Sequence, residues 1–447
     1  MKKIELSEHF TYKKLLLYSL PVIGHAIAIL SFTMADGYFV SNLLGVNAFA
    51  AVEFVQPIFL VIFAMGFMFG SGSSAAIAAH KGKGEMDKAR EIFSMMIAAM
   101  AIAGVILGIL VLMTLPRILH YCGATEEIMP YCRDYAVLLF AFMPMHLFQS
   151  CFDSLWAITE RVWLGFGISI ISGLINVILD YVLIKYFNMG VSGAAFATSF
   201  AATVGAVLIL RLFLKKDEGG LYFVKFSFDL KRFFEICFNG ASEMVDTVSE
   251  SITELVMNVQ LIKLFGASGV AAMGILNYTI GVFIAVFYGF STTTVAIVGY
   301  KHGQGDKAEV QGLLKKGAVI TIISGIIANA ACLLLAEPIA CLYVGYDEGV
   351  KSLTANVLRI NAFSCVFYGL SLFAASFFTG LEDGLASIII AMFLSLIAPI
   401  TAIFTLPAIF GRDAIWFSTP VATFATVLLC MILIKTRYRS IRNSSWT

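Results

Sequence analysis

The sequence predicts an all-α polytopic membrane protein in which twelve transmembrane helices form two parallel six-helix repeats around a central cleft. The first supporting observation is composition: the 447-residue chain is 60% hydrophobic and 13% charged, with a mean hydropathy of +0.90. A globule of that composition lacks the polar surface that keeps a protein soluble. The second is the number of apolar stretches long enough to cross a bilayer, and the third is a repeat at an offset of 221 residues.

The apolar stretches are close to or longer than the ~20 residues that a bilayer-crossing helix requires. In the first half, the predicted helices cover residues 15–40, 49–79, 91–116, 128–157, 163–184 and 189–210. In the second half, they cover residues 233–262, 270–299, 317–336, 353–379, 384–410 and 414–434. The polar segment 211–232 is the predicted linker between an N-terminal lobe, residues 1–217, and a C-terminal lobe, residues 218–447.

Small residues recur with the same spacing in both halves of the chain. Gly45, Ala50 and Ala51 return as Gly266, Ala271 and Ala272, and Gly190 returns as Gly411. Because each repeat contains an even number of helices, the two halves are parallel and are related by a pseudo-two-fold axis along the membrane normal. The lobes should therefore face each other across a central cavity.

Basic residues accumulate on alternate loops, as the positive-inside rule requires of correctly placed helices. The N-terminus, three alternate loops, the interlobe linker among them, and the C-terminus hold most of the 30 Lys and Arg residues. We therefore expect a multi-pass protein of the cell membrane with both termini in the cytoplasm. The first apolar stretch is too long for a cleavable signal peptide. The net charge of +1 argues against binding to nucleic acid.

The eight cysteines are scattered and lie mostly within predicted helices, where a thiol behaves as a small apolar group. We treat them as structural. Cys122 and Cys132 share a predicted outer loop, and their spacing leaves open whether they form a disulfide.

Charged side chains within a bilayer cost roughly 2.5–3.5 kcal/mol on insertion scales, so they normally face a cavity or a partner. Eight acids and one base fall inside the predicted helices, which makes the interior attractive to cations. These residues are Asp36, Glu53, Asp153, Asp180, Glu243, Asp246, Glu250, Glu254 and Arg359.

Asn176 and Asp180 lie four residues apart, so both point to the same side of predicted helix 5. Thr198 on helix 6 adds a hydroxyl, and Asp36 near the end of helix 1 adds a second carboxylate. Two neighbouring carboxylates either share a proton or close around a cation. The alternative is a set of hydrogen bonds that only specifies helix packing. At the repeat offset the second half has no acid, which favours the ion site.

Predicted helix 7 carries Glu243, Asp246, Glu250 and Glu254 at spacings of three and four, which forms one acidic stripe. Asp246, Glu250 and Glu254 are candidates for a cleft that binds cationic substrates. The alternative for this stripe is simple solvation in a wet space. His25 and His146 are interpreted as hydrogen-bonding residues of the helix core.

Several catalytic and nucleotide-binding patterns are absent from the sequence, including the phosphate-binding loop of ATPases and the zinc-protease motif. Residues 303–308 formally fit a dinucleotide fingerprint, but a membrane helix rather than a β-strand precedes them. We therefore expect no enzyme activity and no cofactor. A transporter without its own ATPase must draw on an ion gradient.

Four stretches of the sequence resemble blocks of the MATE family, the multidrug and toxic compound extrusion transporters. They are MADGYFVSNLLG at 34–45, GSGSSAAIAAHKGKGEMDKA at 70–89, NVILDYVLI at 176–184 and MGVSGAAFAT at 189–198. The resemblance covers essentially the whole chain. It implies a monomer of two six-helix lobes that exports small cationic or amphipathic compounds in exchange for Na⁺ or H⁺.

The same resemblance assigns the binding site of the coupling ion, Na⁺ or H⁺, to Asp36, Asn176, Asp180 and Thr198. Binding of the ion there is expected to bend helix 1. Some members of the family use a second site with acids on helices 7 and 10, but helix 10 of this chain offers only Arg359. A flippase or exporter of lipid-linked or polar metabolites on the same fold is the alternative. Such a protein would need a more basic cavity for pyrophosphate.

Overall fold

The computed structural model describes residues 4–121, 126–216, 220–344 and 348–438, and within these ranges the regular structure is entirely helical. The N-terminal half contains seven α-helices. They are α1 Tyr12–Leu44, α2 Val46–Gly82, α3 Met86–Tyr121, α4 Met129–Ala141, α5 Met143–Leu155, α6 Val162–Lys185 and α7 Gly190–Leu214.

The C-terminal half repeats this order with eight α-helices. They are α8 Leu230–Phe265, α9 Ala267–Gly303, α10 Lys307–Val344, α11 Glu348–Ala362, α12 Ser364–Gly380, α13 Gly384–Met392, α14 Ala398–Phe410 and α15 Ser418–Leu433. A π-helical turn, Phe393–Ile397, joins α13 to α14, and a 3₁₀ helix, Arg412–Phe417, leads into α15.

The predicted fold class, an all-α polytopic membrane protein of two repeats, is confirmed. In the described residues, nine helical segments are long and apolar enough to cross a bilayer, and two bent helix pairs bring the number to eleven. The remaining predicted span corresponds to α8, whose 36 residues reach about 54 Å and are long enough to cross a bilayer. Its acidic stripe makes α8 more polar than the other predicted spans.

Two predicted helices, residues 128–157 and 353–379, are each broken into two pieces. The α4–α5 pair bends by 64° around Phe142, and the α11–α12 pair bends by 44° around Phe363. In the first pair, Pro144 has no backbone N–H to continue the helix. In the second pair, the hydroxyl of Ser364 donates to the carbonyl of Asn361 at 2.6 Å, which satisfies a group released by the break.

The backbone repeats with the offset that the sequence predicts. Three glycine pairs have positive φ: Gly45 and Gly266 (86° and 65°), Gly84 and Gly305 (80° and 73°), and Gly190 and Gly411 (59° and 90°). Only glycine adopts this conformation readily, so the same turns recur in both halves. The turn at Gly305 connects α9 to α10, so residues 303–308 are a helix–helix turn and not a nucleotide-binding loop.

The two lobes are in close contact at the end of the molecule that carries the N-terminus of the chain. A Cβ atom on Gly72 of α2 would lie 2.1 Å from the carbonyl oxygen of Ile236 on α8. One on Gly303 of α9 would lie 2.0 Å from the carbonyl oxygen of Ala79 on α2. The lobes are therefore in backbone-to-backbone contact at this end.

The segments that precede α1 and α8 seal the same end of the protein. Leu6 and Phe10 are fully buried, and the Phe10 amide donates to Glu309 on α10 of the other lobe at 2.8 Å. In the interlobe linker, the Val224 amide donates to Ser94 on α3 of the N-terminal half at 2.9 Å. Each leading segment thus docks on the third helix of the opposite half.

Candidate functional site

A cavity of about 590 Å³ lies between the halves, on the side of the closed contact away from the N-terminus. Its walls come from α1, α2, α5, α8, α9, α11, α12, α14, α15 and the π-helical turn. That volume lies within the ~300–1,000 Å³ range of small-molecule binding sites. The walls are mostly apolar, with aromatic side chains such as Phe67, Phe287 and Tyr368.

The polar groups of the cavity are mainly acidic. Asp153, Glu250 and Glu254 line it, and none of the described lining residues is Lys or Arg. The Asn277 amide donates to the Glu254 carboxylate at 2.9 Å, which fixes its orientation. Carboxylates held in an apolar cleft attract positive charge more strongly than they do in water, because the surroundings screen them less.

The acidic stripe of α8 is only partly on the cavity wall. Glu250 and Glu254 are exposed and line the cavity, as predicted for a substrate cleft. Asp246 lies one helical turn nearer the start of α8 and accepts a hydrogen bond from Ser395 in the π-helical turn, and Ser395 itself lines the cavity. Asp246 therefore reaches the cavity through Ser395.

Asn176, Asp180 and Thr198 come together between α6 and α7. The Asn176 amide donates to the Asp180 carboxylate at 3.0 Å and to the Thr198 hydroxyl at 3.3 Å. Asp180 is fully buried, because both helices and α1 surround it. The i, i+4 spacing on α6 is what aims the amide and the carboxylate at the same partner helix.

Asp36 on α1 completes this group. Its carboxyl group is within hydrogen-bonding range of the Asp180 carboxyl group. Two ionised carboxylates this close repel each other, so the arrangement requires a proton or a cation between them. One buried oxygen, Oδ1, of each carboxyl group lacks a hydrogen-bond partner among the described residues. The structure thus brings together all four residues of the predicted ion site.

The donor set suits a proton or an alkali cation. It consists of two carboxylates, an amide and a hydroxyl, which are hard oxygen groups. Within the described residues, no cluster of three or more His, Cys, Asp or Glu side chains has the geometry to hold a metal ion. The orphaned carboxylate oxygens fit H⁺ or Na⁺ better than a transition metal.

Two residues near this group were not predicted as part of it. Tyr135 on α4 is buried and lies within electrostatic range of Asp36, Asp180 and Glu53. Glu53 on α2 is also within electrostatic range of Glu254 on α8. A tyrosine in an apolar helix carries no distinctive sequence signal, whereas Glu53 was recognisable as an intramembrane acid.

The remaining intramembrane candidates have local partners. His25 on α1 forms a buried hydrogen bond with Asp153 on α5 at 2.8 Å and another with Ser169 on α6. His146 lies 3.2 Å from the hydroxyl of Ser199. These contacts agree with the interpretation of both histidines as hydrogen-bonding residues, but His25 also lines the cavity.

Two further candidates lie away from the cavity. Arg359 on α11 has a side chain 43% exposed and pairs with Glu337 at 2.7 Å, so it is not a deeply buried charge. Cys132 is a buried free thiol on α4, and Cys122 lies outside the described residues.

An all-helical membrane protein with two similar halves and a cavity between them has the architecture of a membrane transporter. The model of the MatE family matches residues 21–182 and 244–404, and the chain belongs to this family.

Known proteins of similar sequence span nearly the whole chain. The multidrug export protein MepA of Staphylococcus saprophyticus subsp. saprophyticus is 22% identical over 434 residues, covering 95% of this chain and 93% of that protein. The protein of the same name from Staphylococcus haemolyticus is 23% identical over 438 residues, covering 96% and 94% of the two chains.

Solved structures share the fold. A MATE protein in complex with MaL6 superposes with a TM-score of 0.93 at 21% identity, covering 99% of this chain and 100% of that one. The outward-facing conformation of a multidrug resistance MATE family transporter of the MOP superfamily gives a TM-score of 0.92 at 21% identity, with 99% of both chains covered.

Proposed function

We propose that this protein is a secondary active antiporter that exports cationic or amphipathic drugs and other toxic organic compounds in exchange for Na⁺ or H⁺ by alternating access. The observation that carries the proposal is the pairing of an apolar cavity with acidic walls and a separate pair of carboxyl groups with unpartnered oxygens. The names of the MepA relatives, which describe multidrug export, support the same substrate class.

The proposed coupling site consists of Asp36, Asn176, Asp180 and Thr198. With Na⁺ as the coupling ion, the two carboxylates, the Asn176 carbonyl and the Thr198 hydroxyl supply its ligands; with H⁺, the carboxyl pair shares the proton. Either ion reduces the negative charge between α1 and α6. When the ion leaves, the carboxylates of Asp36 and Asp180 repel each other. Because Asp36 belongs to the outer half of α1, this repulsion acts directly on that half of the helix.

The proposed substrate cleft consists of Glu250 and Glu254 on the wall, with Asp246 behind Ser395. The carboxylates attract the positive charge of the substrate, while Phe67, Tyr288 and the other apolar walls accept its aromatic or aliphatic part. A wide cavity with few fixed polar contacts discriminates weakly among shapes, which suits export of chemically varied compounds.

Alternating access requires the closed contact between the lobes to open. In the present conformation, the contacts near Gly72, Gly303 and Phe10 close one end, and the cavity lies beyond them. With both termini in the cytoplasm, this conformation faces outward. We further propose that the protein acts as a monomer in the cell membrane.

Export of lipid-linked or polar anionic metabolites on the same fold is the second candidate function. A pyrophosphate group would need Lys or Arg side chains in the cavity, and the described lining residues include neither. The acidic wall therefore favours cationic cargo.

Uptake of ethidium into inverted membrane vesicles tests the proposal. With ethidium in the external medium, we expect it to accumulate inside the vesicles when a Na⁺ or H⁺ gradient is imposed. This accumulation should be lost when an ionophore dissipates the gradient. An uptake rate equal to that of vesicles lacking the protein, under both gradients, would exclude the antiporter function. Accumulation of an anionic pyrophosphate analogue instead would favour the second candidate.

A further inference from the structure

The hydrogen-bonded pair of His25 and Asp153 lies in the cavity wall, apart from the Asp36–Asp180 group. His25 Nε2 is 2.8 Å from Asp153 Oδ1, and the other ring nitrogen of His25 contacts the hydroxyl of Ser169. The side chains are only 6% and 5% exposed, yet both line the cavity. Three helices, α1, α5 and α6, are therefore joined at a titratable pair that borders the substrate space.

His25 is the only described lining residue whose side chain can become positively charged at physiological pH. The charged or titratable groups that surround the pair come from α8 and α9. Glu250 shares the cavity wall, and the hydroxyl of Tyr288 is within electrostatic range of Asp153 and of Glu243. The side chains that α2 and α6 place near the pair, Phe67 and Ser169, are uncharged.

The charge of the pair depends on a single proton. When His25 is protonated, its charge cancels that of Asp153; when His25 is neutral, the pair has a charge of −1. An organic cation in the same cavity is attracted to the second state and repelled by the imidazolium of the first. By thermodynamic linkage, binding of the cation must then lower the proton affinity of the pair, and protonation must weaken binding of the cation.

We propose that His25 and Asp153 form a proton-binding site within the cavity, whose proton is displaced by a bound organic cation. This inference rests on the proposed substrate class and adds a site of direct competition between proton and cargo. It is separate from the Asp36–Asp180 group, which acts on α1 and does not line the cavity. No redox or covalent step is involved, since the proton passes to water.

Equilibrium binding of tetraphenylphosphonium to the purified full-length protein between pH 5.5 and 8.5 tests the proposal. In the wild type, the affinity should rise with pH, by up to about tenfold per pH unit for each proton displaced. His25→Gln keeps a hydrogen-bond donor but leaves Asp153 charged, so it should bind more tightly than the wild type at low pH and have a flatter slope. Asp153→Asn should bind more weakly at every pH.

The opposite signs of the two variants distinguish a proton site from a structural contact. If the pair only holds the helices together, both variants will weaken binding and neither will change the slope. His146→Gln is the matched control, because it makes the same substitution at a buried histidine that does not line the cavity, and its pH slope should equal that of the wild type.

Proton release in weakly buffered solution gives an independent measurement. Saturation with tetraphenylphosphonium near the midpoint of the pH curve should release fewer protons, by up to one per molecule, from His25→Gln than from the wild type. Equal release would overturn the proton site while leaving the antiporter proposal intact. A wild-type protein that binds no tetraphenylphosphonium at any pH would overturn the proposed substrate class and this inference with it.

Discussion

Asp180 and its repeat counterpart show how the proposed ion site of the first half differs from the equivalent helix of the second half. At the position 221 residues later stands Thr401, whose hydroxyl donates to the carbonyl of Ile397 on its own helix at 2.7 Å. Ile397 in turn is the counterpart of Asn176. The second half therefore satisfies its polar group locally, whereas Asp180 retains an oxygen without a hydrogen-bond partner among the described residues, as the proposed ion site requires.

Asp36→Asn and Asp180→Asn should each abolish ion-coupled export while the protein still inserts into the membrane. The amide keeps the shape of the carboxyl group but neither takes up a proton at physiological pH nor carries the charge that holds Na⁺. Gradient-driven ethidium uptake into inverted vesicles measures the effect. Asp134→Asn, at an exposed acid of α4, is the matched control and should transport normally. Full drug efflux by both site variants would refute the proposed coupling site.

Glu254→Gln should alter substrate range more than ion dependence. The glutamine carbonyl is still able to accept the hydrogen bond from Asn277, so the main loss is one negative charge facing the cavity. For this solvent-exposed group we expect about 1 kcal/mol, or about fivefold, in affinity for monovalent cations. Competition of cationic and neutral compounds for ethidium export measures it, with Glu348→Gln as a control outside the cavity. An unchanged substrate profile would assign Glu254 to packing.

At the scale of single helices, α8 combines two tasks that a hydropathy profile treats as incompatible. It crosses the bilayer over 36 residues, and it presents Glu250 and Glu254 to the cavity and Asp246 to Ser395. The charges are tolerated because they line a wet space or have hydrogen-bond partners, and do not face lipid. By composition, at most eleven segments of the described residues qualify as membrane spans. The repeat indicates that α8 is a further span.

The crossing of α2 and α9 depends on glycine, because the two backbones touch. Gly82 and Gly303 are equivalent positions of the repeat, and each faces a carbonyl of the opposite helix, Tyr300 and Ala79 respectively. A Cβ at either position would lie about 2 Å from the carbonyl oxygen. Backbone atoms have no alternative rotamer, so a side chain there forces the helices apart.

Gly303→Ala should destabilise the closed contact by about 1–3 kcal/mol, the usual range for overpacking. Gly274→Ala, on the same helix, should be neutral or stabilising, because its Cβ would meet no atom within 4 Å and alanine favours helix. Thermal unfolding of the purified variants in detergent compares them. Equal melting temperatures for the two variants would show that the backbones do not meet at Gly303.

For the whole molecule, closure of one end follows from the exchange of leading segments between the halves. The segment before α1 binds Glu309, Lys301 and Lys316 of the C-terminal half, with Lys316 Nζ 2.6 Å from the Phe10 carbonyl oxygen. The segment before α8 binds Arg90 and Ser94 of the N-terminal half. The pseudo-two-fold relation places both docks at the same end, so a conformation open at that end must strain or release both.

Membrane orientation gives a prediction for the whole chain. With cytoplasmic termini, the exposed thiol of Cys341 near the far end of α10 should react with an impermeant maleimide on intact cells or spheroplasts. In a Cys341→Ser background, Lys83→Cys should react only after permeabilisation, because Lys83 is exposed at the end that carries the N-terminus. Cys122 is replaced by serine in both proteins. The reverse labelling pattern would place the termini outside.

Much of the candidate site was predictable because helical periodicity reports on direction. Asn176 and Asp180 share a face by their spacing, and charged residues in apolar segments are recognisable wherever they fall. Contacts between helices distant in sequence were not predictable. Such contacts depend on how helices rotate and cross. Examples are the pairing of His25 with Asp153, the proximity of Tyr135 to Asp36, and the position of Asp246 behind Ser395.

The sequence by itself determined that this chain is an all-helical membrane protein of two repeats, because hydropathy and the spacing of glycines are local properties that the repeat duplicates. Only the tertiary structure decided where helices break, which end is closed and which acids face the cavity. These features arise from packing, where a backbone contact at Gly303 or a partner such as His25 acts across more than a hundred residues of chain. The asymmetry of the carboxylates was visible in the sequence, but the meeting of Asp36 and Asp180, each with one carboxyl oxygen that lacks a hydrogen-bond partner among the described residues, appears only in the folded protein.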